Sequence, residues 1–446
     1  MAANFAVYPI QMGRLFGLRP EWPCGAGSES QTGMSYMKHD SDPLHARPSS
    51  GEAPFGVEEI FFSRTDERGV IAAFNAVFLR IAGYAADEIL NAPHRIIRHD
   101  DMPKAVFWLL WHTIKAGKPI GAYVKNRAKD GLYYWVFAVV TPVEGGYLSV
   151  RLKPTSAMLA VVEAEYAALR EMEKRDNLTP EDSARRLLAR LAALGFPSYA
   201  NFQAFALAGE LVQRDQATGR EADRRIAGMV RLLKSVSDIH EGKAAVSEYF
   251  SRVMLMPINM RIVAARIERA GGPISTISDN YRMMSAEVIA NLEAFTKGEG
   301  LAGAILDQRP EEHGLFVLCA ARVMAEARAA FAAESARLGP VDVAAEGRLL
   351  AQIEARYDRI AHEAMQHSSV VAAKLLRDAE VLRRSILGLD SIRIMCRVES
   401  GRLTRHYAGL GSIISNLDEF HARLEQLLDE IATAAQHVAA DADAVL

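Results

Sequence analysis

Cysteine is scarce in this sequence, and its scarcity excludes two kinds of stabilised scaffold. Only three cysteines occur among 446 residues, and Cys24, Cys319 and Cys396 lie far apart. They form neither a disulfide framework nor the paired spacing of a zinc site. A reducing compartment fits this usage best, so we expect a cytoplasmic protein.

An excess of charge and long apolar runs are lacking as well. The formal net charge is −3, and no basic stripe carries interleaved aromatic residues, so nucleic acid is not an expected partner. No uncharged apolar run approaches the roughly 20 residues of a membrane span. The N-terminus also lacks the basic and apolar regions of a secretory signal. With 50% hydrophobic residues, the chain is expected to fold as two or three globular domains.

The chain divides into three regions of different amino-acid composition. Residues 1–54 are rich in Gly, Ser, Pro and His without periodicity, and we predict that they are disordered. Residues 55–154 read as two strands, several short helices and three strands joined by tight Asp-Gly and Gly-Gly turns. This order predicts a compact α+β domain with a five-stranded antiparallel sheet and short helices.

The remainder is rich in Ala, Glu, Arg and Leu at helical spacing and predicts a long all-α coiled-coil or helical-bundle region. RIVAARIERAGG (261–272) and RIMCRVESGR (393–402) echo each other, which suggests two units, 155–300 and 301–446. Such long helices often close their apolar seam by dimerising, so a homodimer is expected. Glycines and prolines set the predicted helix limits at about 180–194, 199–241, 244–270, 274–297, 313–337, 341–387, 389–404 and 408–443.

The segment RIIRHDDMPKAVFWLLWHTIKAG (95–117) combines charges with aromatic residues. Arg98, His99 and Asp101 precede a proline suited to the first turn of a helix. One interpretation is an ordinary helix cap with solvent-facing arginines. The other is a ligand cradle, in which cationic groups and the helix start receive phosphates while Phe107 and Trp111, one turn apart, wall an aromatic ring.

The strand VKNRAKDGLYYWV supplies a second candidate. Asn126 alternates with three basic residues and therefore points to the opposite side of the strand, beside Val124. A buried amide without partners is costly, whereas an amide facing a heterocycle edge is matched to its donors and acceptors. A surface asparagine is the alternative interpretation.

Together, NAVFLRIAGYAADEIL, HRIIRHDDMPKAVFWLLW and VKNRAKDGLYYWV make residues 58–154 similar to the PAS domains of bacterial aerotaxis receptors, which bind FAD and sense redox state. The resemblance implies that the flavin is held by an Asn opening the first short helix, an Arg-His-x-Asp-Met-Pro segment, an aromatic on the next helix and a strand Asn. The matching residues here are Asn75, Arg98, His99, Asp101, Met102, Pro103, Phe107 and Asn126, and we add Trp111 as a second aromatic wall.

This chain departs from that family pattern at two positions. Asp100 stands where the family commonly has Pro, and Ile120 stands where it commonly has Trp. Loss of an aromatic wall could weaken flavin binding. An alternative hypothesis is therefore a scaffold or adaptor whose PAS domain has an empty pocket and acts through protein–protein interaction.

Residues 254–288 resemble, more weakly, the hairpin tip of methyl-accepting chemotaxis receptors. The matching positions are Asn259, Ile262, Ala264, Ala265 and Arg266. That resemblance implies a chemotaxis kinase or its adaptor as the partner. No catalytic triad, metal site or phosphate loop is apparent. We therefore expect a redox- or oxygen-sensing signal-transduction protein rather than an enzyme, with a flavin- or haem-dependent enzyme as a further alternative.

Overall fold

A computed structural model describes residues 47–253, 256–267, 272–297, 310–334, 341–402 and 408–445. Most of the segment predicted to be disordered lies outside the described residues. Its last part pairs with the start of a strand: Ala53 N–H donates to the Tyr133 carbonyl at 2.7 Å, and Tyr133 N–H donates to Gly51 at 3.0 Å. The chain is therefore fixed in place before residue 55.

A five-stranded antiparallel sheet organises the first part of the chain, in the order β2-β1-β5-β4-β3. This confirms the predicted fold class. The Gly-Gly turn between the last two strands needs its second glycine, because a side chain at Gly146 would overlap the Thr65 carbonyl. The strands are β1 Ile60–Asp66, β2 Ile71–Phe74, β3 Ile120–Arg127, β4 Tyr133–Val143 and β5 Gly146–Leu152.

The two faces of this sheet have different coverings. Short helices between β2 and β3 cover the face that we call the inner face, and they are α1 Ala76–Ala82, α2 Ala86–Ile89, a 3₁₀ turn His94–Ile97 and α3 Lys104–Lys115. The strand register assigns to the inner face Phe61, Ser63, Ile120, Val124, Asn126, Tyr134, Val136, Ala138, Tyr147, Ser149 and Arg151.

Later helices pack on the opposite, outer face. They are α4 Met158–Arg175, α6 Tyr199–Thr218 and parts of α10 Pro310–Glu334 and α11 Val343–Arg402, whereas α5 Pro180–Ala193 packs mainly against α3. The Phe62 ring meets Phe331 edge-on at 4.4 Å between centroids, and the Thr141 and Tyr357 hydroxyls are 2.8 Å apart. Because both faces of the sheet are buried, its strands carry apolar residues at inner-face and outer-face positions alike.

The free edge of β3 is satisfied by side chains instead of a further strand. Gly121 N–H donates to Gln203 Oε1 at 2.9 Å, and its carbonyl accepts from the Tyr199 hydroxyl at 3.0 Å. The Tyr166 hydroxyl donates to the Tyr123 carbonyl at 3.3 Å. Since exposed strand edges pair readily with other chains, these contacts protect the sheet.

Contacts group the chain into two compact units. Unit 1 consists of the described residues within Met1–Asp223 and Leu315–Ala361, and unit 2 of those within Arg224–Gly314 and His362–Leu446. This grouping differs from the predicted division at residue 300, because residues 315–334 and 341–361 pack on the outer face of the sheet. Helices α10 and α11 each contribute residues to both units.

The described residues of unit 2 form an antiparallel helical bundle. Helices α7 Arg224–Val253 and α12 Ala408–Val445 run in opposite directions, with Gly242 against Ile431 and Phe250 against Phe420 at 5.6 Å. Residues 362–402 of α11 pair with α12 through Arg393 and Asp418, 2.7 Å apart. The remaining helices are α8 Met256–Ile267 and α9 Pro273–Lys297.

Several predicted helix limits were wrong: one helix, Arg224–Val253, runs across the break predicted between residues 241 and 244, and two further errors involve glycine. The helix predicted over 199–241 ends at Gly219, whose φ of +66° and N–H bond to Asp215 make it a left-handed cap. Conversely, no break separates 341–387 from 389–404, since α11 continues through Gly388. A side chain there would overlap Met284, so this glycine serves helix packing rather than termination.

None of the helices in the described ranges combines the length and hydropathy needed to cross a bilayer.

Candidate functional site

A buried cation lies at the centre of the inner face. Arg151 is 3% exposed, and its guanidinium donates to Ser63 Oγ at 3.0 Å. A second guanidinium nitrogen lies 2.6 Å from His94 Nε2, on the 3₁₀ turn that crosses this face. Because arginine can only donate, His94 Nε2 is the acceptor of this bond. The Phe78 ring of α1 covers the guanidinium at 5.7 Å.

This pair fixes the charge of the inner face at neutral pH. Burial, reinforced by the positive charge of Arg151, lowers the pKa of His94 to about 3, so the imidazole is neutral. Burial lowers the pKa of Arg151 to about 10, which still leaves the guanidinium charged. The inner face therefore holds one fixed positive charge.

Three further polar side chains of the inner face are buried without a hydrogen-bond partner. They are Asn126 at Nδ2, Tyr134 at its hydroxyl and Ser149 at Oγ. Burial also raises the pKa of Tyr134 above its ordinary value, so its hydroxyl keeps its proton. Buried polar atoms are normally satisfied, and three unsatisfied ones on one face indicate a place for a polar ligand.

Asn75, a predicted ligand contact, has a structural role in this arrangement. Its Oδ1 accepts from Phe62 N–H at 3.0 Å and Phe78 N–H at 3.1 Å, while its Nδ2 donates to the Ile60 carbonyl at 2.7 Å. These bonds cap α1 and attach it to β1. Asn75 thus positions the helix whose Phe78 covers Arg151.

Arg98 lies beside two other predicted site residues, Phe107 and Asn126. The Arg98 guanidinium stacks 3.6 Å from the centre of the Phe107 ring. The backbones of Arg98 and Asn126 form an isolated antiparallel bridge, which places the segment before α3 along β3. Burial, with repulsion from Arg170, lowers the pKa of Arg98.

His99 and Asp101 lie at the border of the inner face, near Lys125. Asp101, with 63% of its side chain exposed, pairs with Lys125 at 2.6 Å, and this hydrogen bond lowers the pKa of its carboxyl. His99 Nδ1 accepts from Asp101 N–H at 3.1 Å. Lys125 points away from the inner face, so these two residues lie at its border.

Trp111 and Ile120 lie apart from the Arg98 cluster. Trp111 meets Tyr147 edge-on at 5.5 Å and sits beside Gly69 of the first turn, so one turn of α3 separates its wall from that of Phe107. Ile120 is 1% exposed on the inner face. The position at which this chain departs from the family Trp therefore lies on the inner face, at the other end of β3 from Asn126.

Sequence reasoning missed His94, Tyr134, Ser149 and Arg151. The signal was present in β5, where Tyr147, Ser149 and Arg151 alternate with apolar residues. Such alternation normally indicates a solvent-facing polar side. Here the polar side is buried under α1 to α3, while later helices cover the apolar side. Among the described residues, no group of His, Cys, Asp or Glu could hold a metal ion.

Comparison with known proteins identifies this part of the chain. The PAS fold family matches residues 71–149. These residues form a PAS domain. The match runs from β2 into β5 and includes all the short helices of the inner face. It contains His94, Asn126, Tyr134 and Ser149, and Arg151 follows two residues after its end.

Curated relatives extend the similarity over a limited part of each protein. The chain is 38% identical over 130 residues to the aerotaxis receptor of Escherichia coli K12, covering 28% of this chain and 26% of the receptor. It is 31% identical over 84 residues to the nitrogen fixation regulatory protein of Klebsiella pneumoniae, covering 19% and 17%. By name these relatives are a receptor and a regulator, so the PAS domain is related to those of signal-transduction proteins.

A solved structure also matches the PAS region. The light-state structure of the blue-light photoreceptor Aureochrome1 LOV is 26% identical, covers 24% of this chain and 91% of that chain, and has a TM-score of 0.21.

Proposed function

We propose that the PAS domain binds FAD and that the protein is a cytoplasmic sensor of redox state or oxygen, not an enzyme. One observation carries the proposal: Asn126, Tyr134 and Ser149 present unpartnered buried polar atoms on the face that PAS helices cover. The sequence resemblance to aerotaxis receptors, which extends over these strands, supplies the flavin as the matching ligand.

Within this proposal, the residues divide by task. Arg98 would hold phosphate or ribityl oxygens, Phe107 and Trp111 would contact the ring, and Asn126 would bond its polar edge. His99 and Asp101 would border the site, and Asn75 would position α1. A bound flavin would supply reversible reduction, which changes the charge and ring protonation that these residues meet.

Strand β3 provides a route from the inner face to the helical region. Asn126 faces inward, whereas Tyr123, three residues away, faces outward and donates from its hydroxyl to Glu210 of α6 at 2.7 Å. A change in the hydrogen bonds of Asn126 would shift β3 and so alter the position of α6. Helix α6 would then have two positions, and the redox state of the ligand would determine which one is more populated.

Replacing Asn126 by alanine is expected to weaken FAD binding at least about tenfold, because an amide that bonds the ring edge is removed. The measurement is a titration of the full chain with FAD, followed by the visible flavin spectrum. Arg98→Ala should weaken binding as well, whereas Arg68→Ala, whose side chain is 83% exposed, serves as the control. Unchanged occupancy in both pocket variants would refute the site assignment.

A scaffold with an empty pocket is the second candidate, and Ile120 favours it. An aliphatic residue on the inner-face wall removes a ring-stacking surface that the family commonly has. In that case the purified protein would show no flavin spectrum and would not respond to added FAD. Interaction with a protein partner would then be independent of redox state.

For partners, we propose a second copy of the chain and a chemotaxis kinase or its adaptor. Apolar side chains are exposed on two helices of unit 2: Ile258 and Ile262 on α8 are 55% and 50% exposed, and Ile394 and Val398 on α11 are 54% and 50% exposed. Each pair is four residues apart and forms a stripe on its helix. Apolar stripes of this kind are typical of protein contacts.

The double variant Ile394→Glu with Val398→Glu is therefore expected to be monomeric at concentrations where the wild type is a dimer. Light scattering after size exclusion measures the mass. Val370→Glu, at a 63% exposed position earlier on the same helix, is the control. A monomeric wild type would contradict the homodimer, and failure to co-purify with a chemotaxis kinase and adaptor would contradict that partnership.

A further inference from the structure

The start of α3 is capped from outside the PAS domain. Pro103 precedes the helix and offers no side-chain cap, so the first backbone N–H groups need other partners. Lys104 N–H donates to Glu173 Oε1, on α4, at 2.7 Å. A carboxylate at a helix start is favoured by the partial positive charge there.

Glu173 is held firmly in that position. Its side chain is 0% exposed, Ser183 of α5 donates to Oε1 at 2.6 Å, and Arg170 lies 3.2 Å from Oε2. The Lys104 ammonium also donates to the Leu178 carbonyl, at 3.1 Å, in the turn between α4 and α5. The α4–α5 hairpin thus supplies an anion to α3.

The same place is where the proposed ligand would put its phosphates. Arg98, the cationic group expected to receive a phosphate, also interacts electrostatically with Glu173 and with Arg170. Asn126, 2% exposed and unpartnered at Nδ2, lies beside Arg98 along the backbone bridge. Helix starts and arginines are the usual phosphate sites, and here an internal carboxylate occupies one.

We propose that Glu173 determines which flavins the PAS domain accepts, by competing with the phosphate groups of FMN and FAD for the start of α3 and Arg98. This inference rests on the proposed function. Riboflavin has no phosphate, so its binding is independent of this competition. Binding of a phosphorylated flavin displaces Glu173 and loosens the α4–α5 hairpin.

The test compares three flavins on three forms of the full chain freed of ligand: wild type, Glu173→Gln and Glu171→Gln. Glutamine keeps an oxygen to accept from Lys104 and Ser183 but removes the negative charge. We expect Glu173→Gln to strengthen the binding of FMN and FAD about tenfold and that of riboflavin less than about twofold, as measured by flavin fluorescence. Glu171, 74% exposed on the same helix, is the matched control and should change nothing.

A second measurement uses the wild type alone. Hydrogen exchange within residues 158–193 should quicken when FAD is bound and stay unchanged with riboflavin. An equal effect of Glu173→Gln on all three flavins, or none on any, would overturn the competition, as would identical exchange with FAD and riboflavin. If no form binds any flavin, the proposed function itself fails. If flavin binding is weakened by Asn126→Ala but Glu173→Gln does not distinguish phosphorylated flavins from riboflavin, only this inference is refuted and the proposed function stands.

Discussion

Replacing Glu210 by alanine is expected to lower the free energy of unfolding of unit 1 by about 3–5 kcal/mol. Glu210 is 0% exposed, and four donors converge on its carboxylate. Thr155 N–H and Ser156 N–H donate to Oε2 at 2.6 and 3.0 Å, and the Ser156 and Tyr123 hydroxyls donate to Oε1 at 2.6 and 2.7 Å. Truncation would leave these donors unsatisfied in the interior.

Urea unfolding followed by tryptophan fluorescence measures this effect, since Trp108, Trp111 and Trp135 all belong to unit 1. Glu210→Gln should cost less, because one oxygen acceptor remains. Gln216→Ala, at an exposed position of the same helix, should change the unfolding free energy by less than about 0.5 kcal/mol. An equal loss in the Gln216 and Glu210 variants would contradict the stabilising role of the buried carboxylate.

Acidification is expected to destabilise the PAS domain through His94. The pKa of His94 is about 3 in the folded protein, against an ordinary value of 6.5. Between these values the unfolded chain binds the proton and the folded chain does not, so stability falls as pH falls below 6.5. The slope rises to about 1.4 kcal/mol per pH unit as the pH falls below 6.5, so the loss between pH 6.5 and 4.5 is about 2 kcal/mol.

The comparison of wild type with His94→Gln isolates this contribution from that of the carboxylates. Glutamine offers an oxygen to Arg151 but takes up no proton in this range, so the variant should lose less stability over the same two pH units. His112→Gln is the control, because His112 is exposed on α3 and stacks only on Trp108, at 4.8 Å. Parallel pH profiles for wild type and His94→Gln would show that His94 titrates normally.

The strands of the PAS domain were predictable because local signals determine them. Turn residues and alternation located all five strands, and the order of elements gave the fold class. The limits of the helices were harder to predict from the sequence. Gly219 ends a helix and Gly388 does not, yet both are single glycines in helical sequence. What separates them is the Met284 side chain packed against Gly388, a tertiary contact that the sequence does not display.

The candidate site was predictable where a residue type is unusual for its position, as with Asn126. It was not predictable where burial reverses an ordinary pattern. Ser149 and Arg151 resemble the solvent side of a strand, but both faces of this sheet are covered. Similarly, the helix start at Lys104 looked available for phosphate, and Glu173, 69 residues later in the chain, occupies it.

The protected edge of β3 bears on how the protein can be divided. Tyr166, Tyr199 and Gln203 occupy hydrogen-bonding positions that a sixth strand would otherwise fill. A fragment that ends at residue 154 would retain the whole sheet but lose these side chains together with the cover of the outer face. Its bare strand would act as a template for pairing with other copies, so the PAS sequence by itself would be inclined to aggregate.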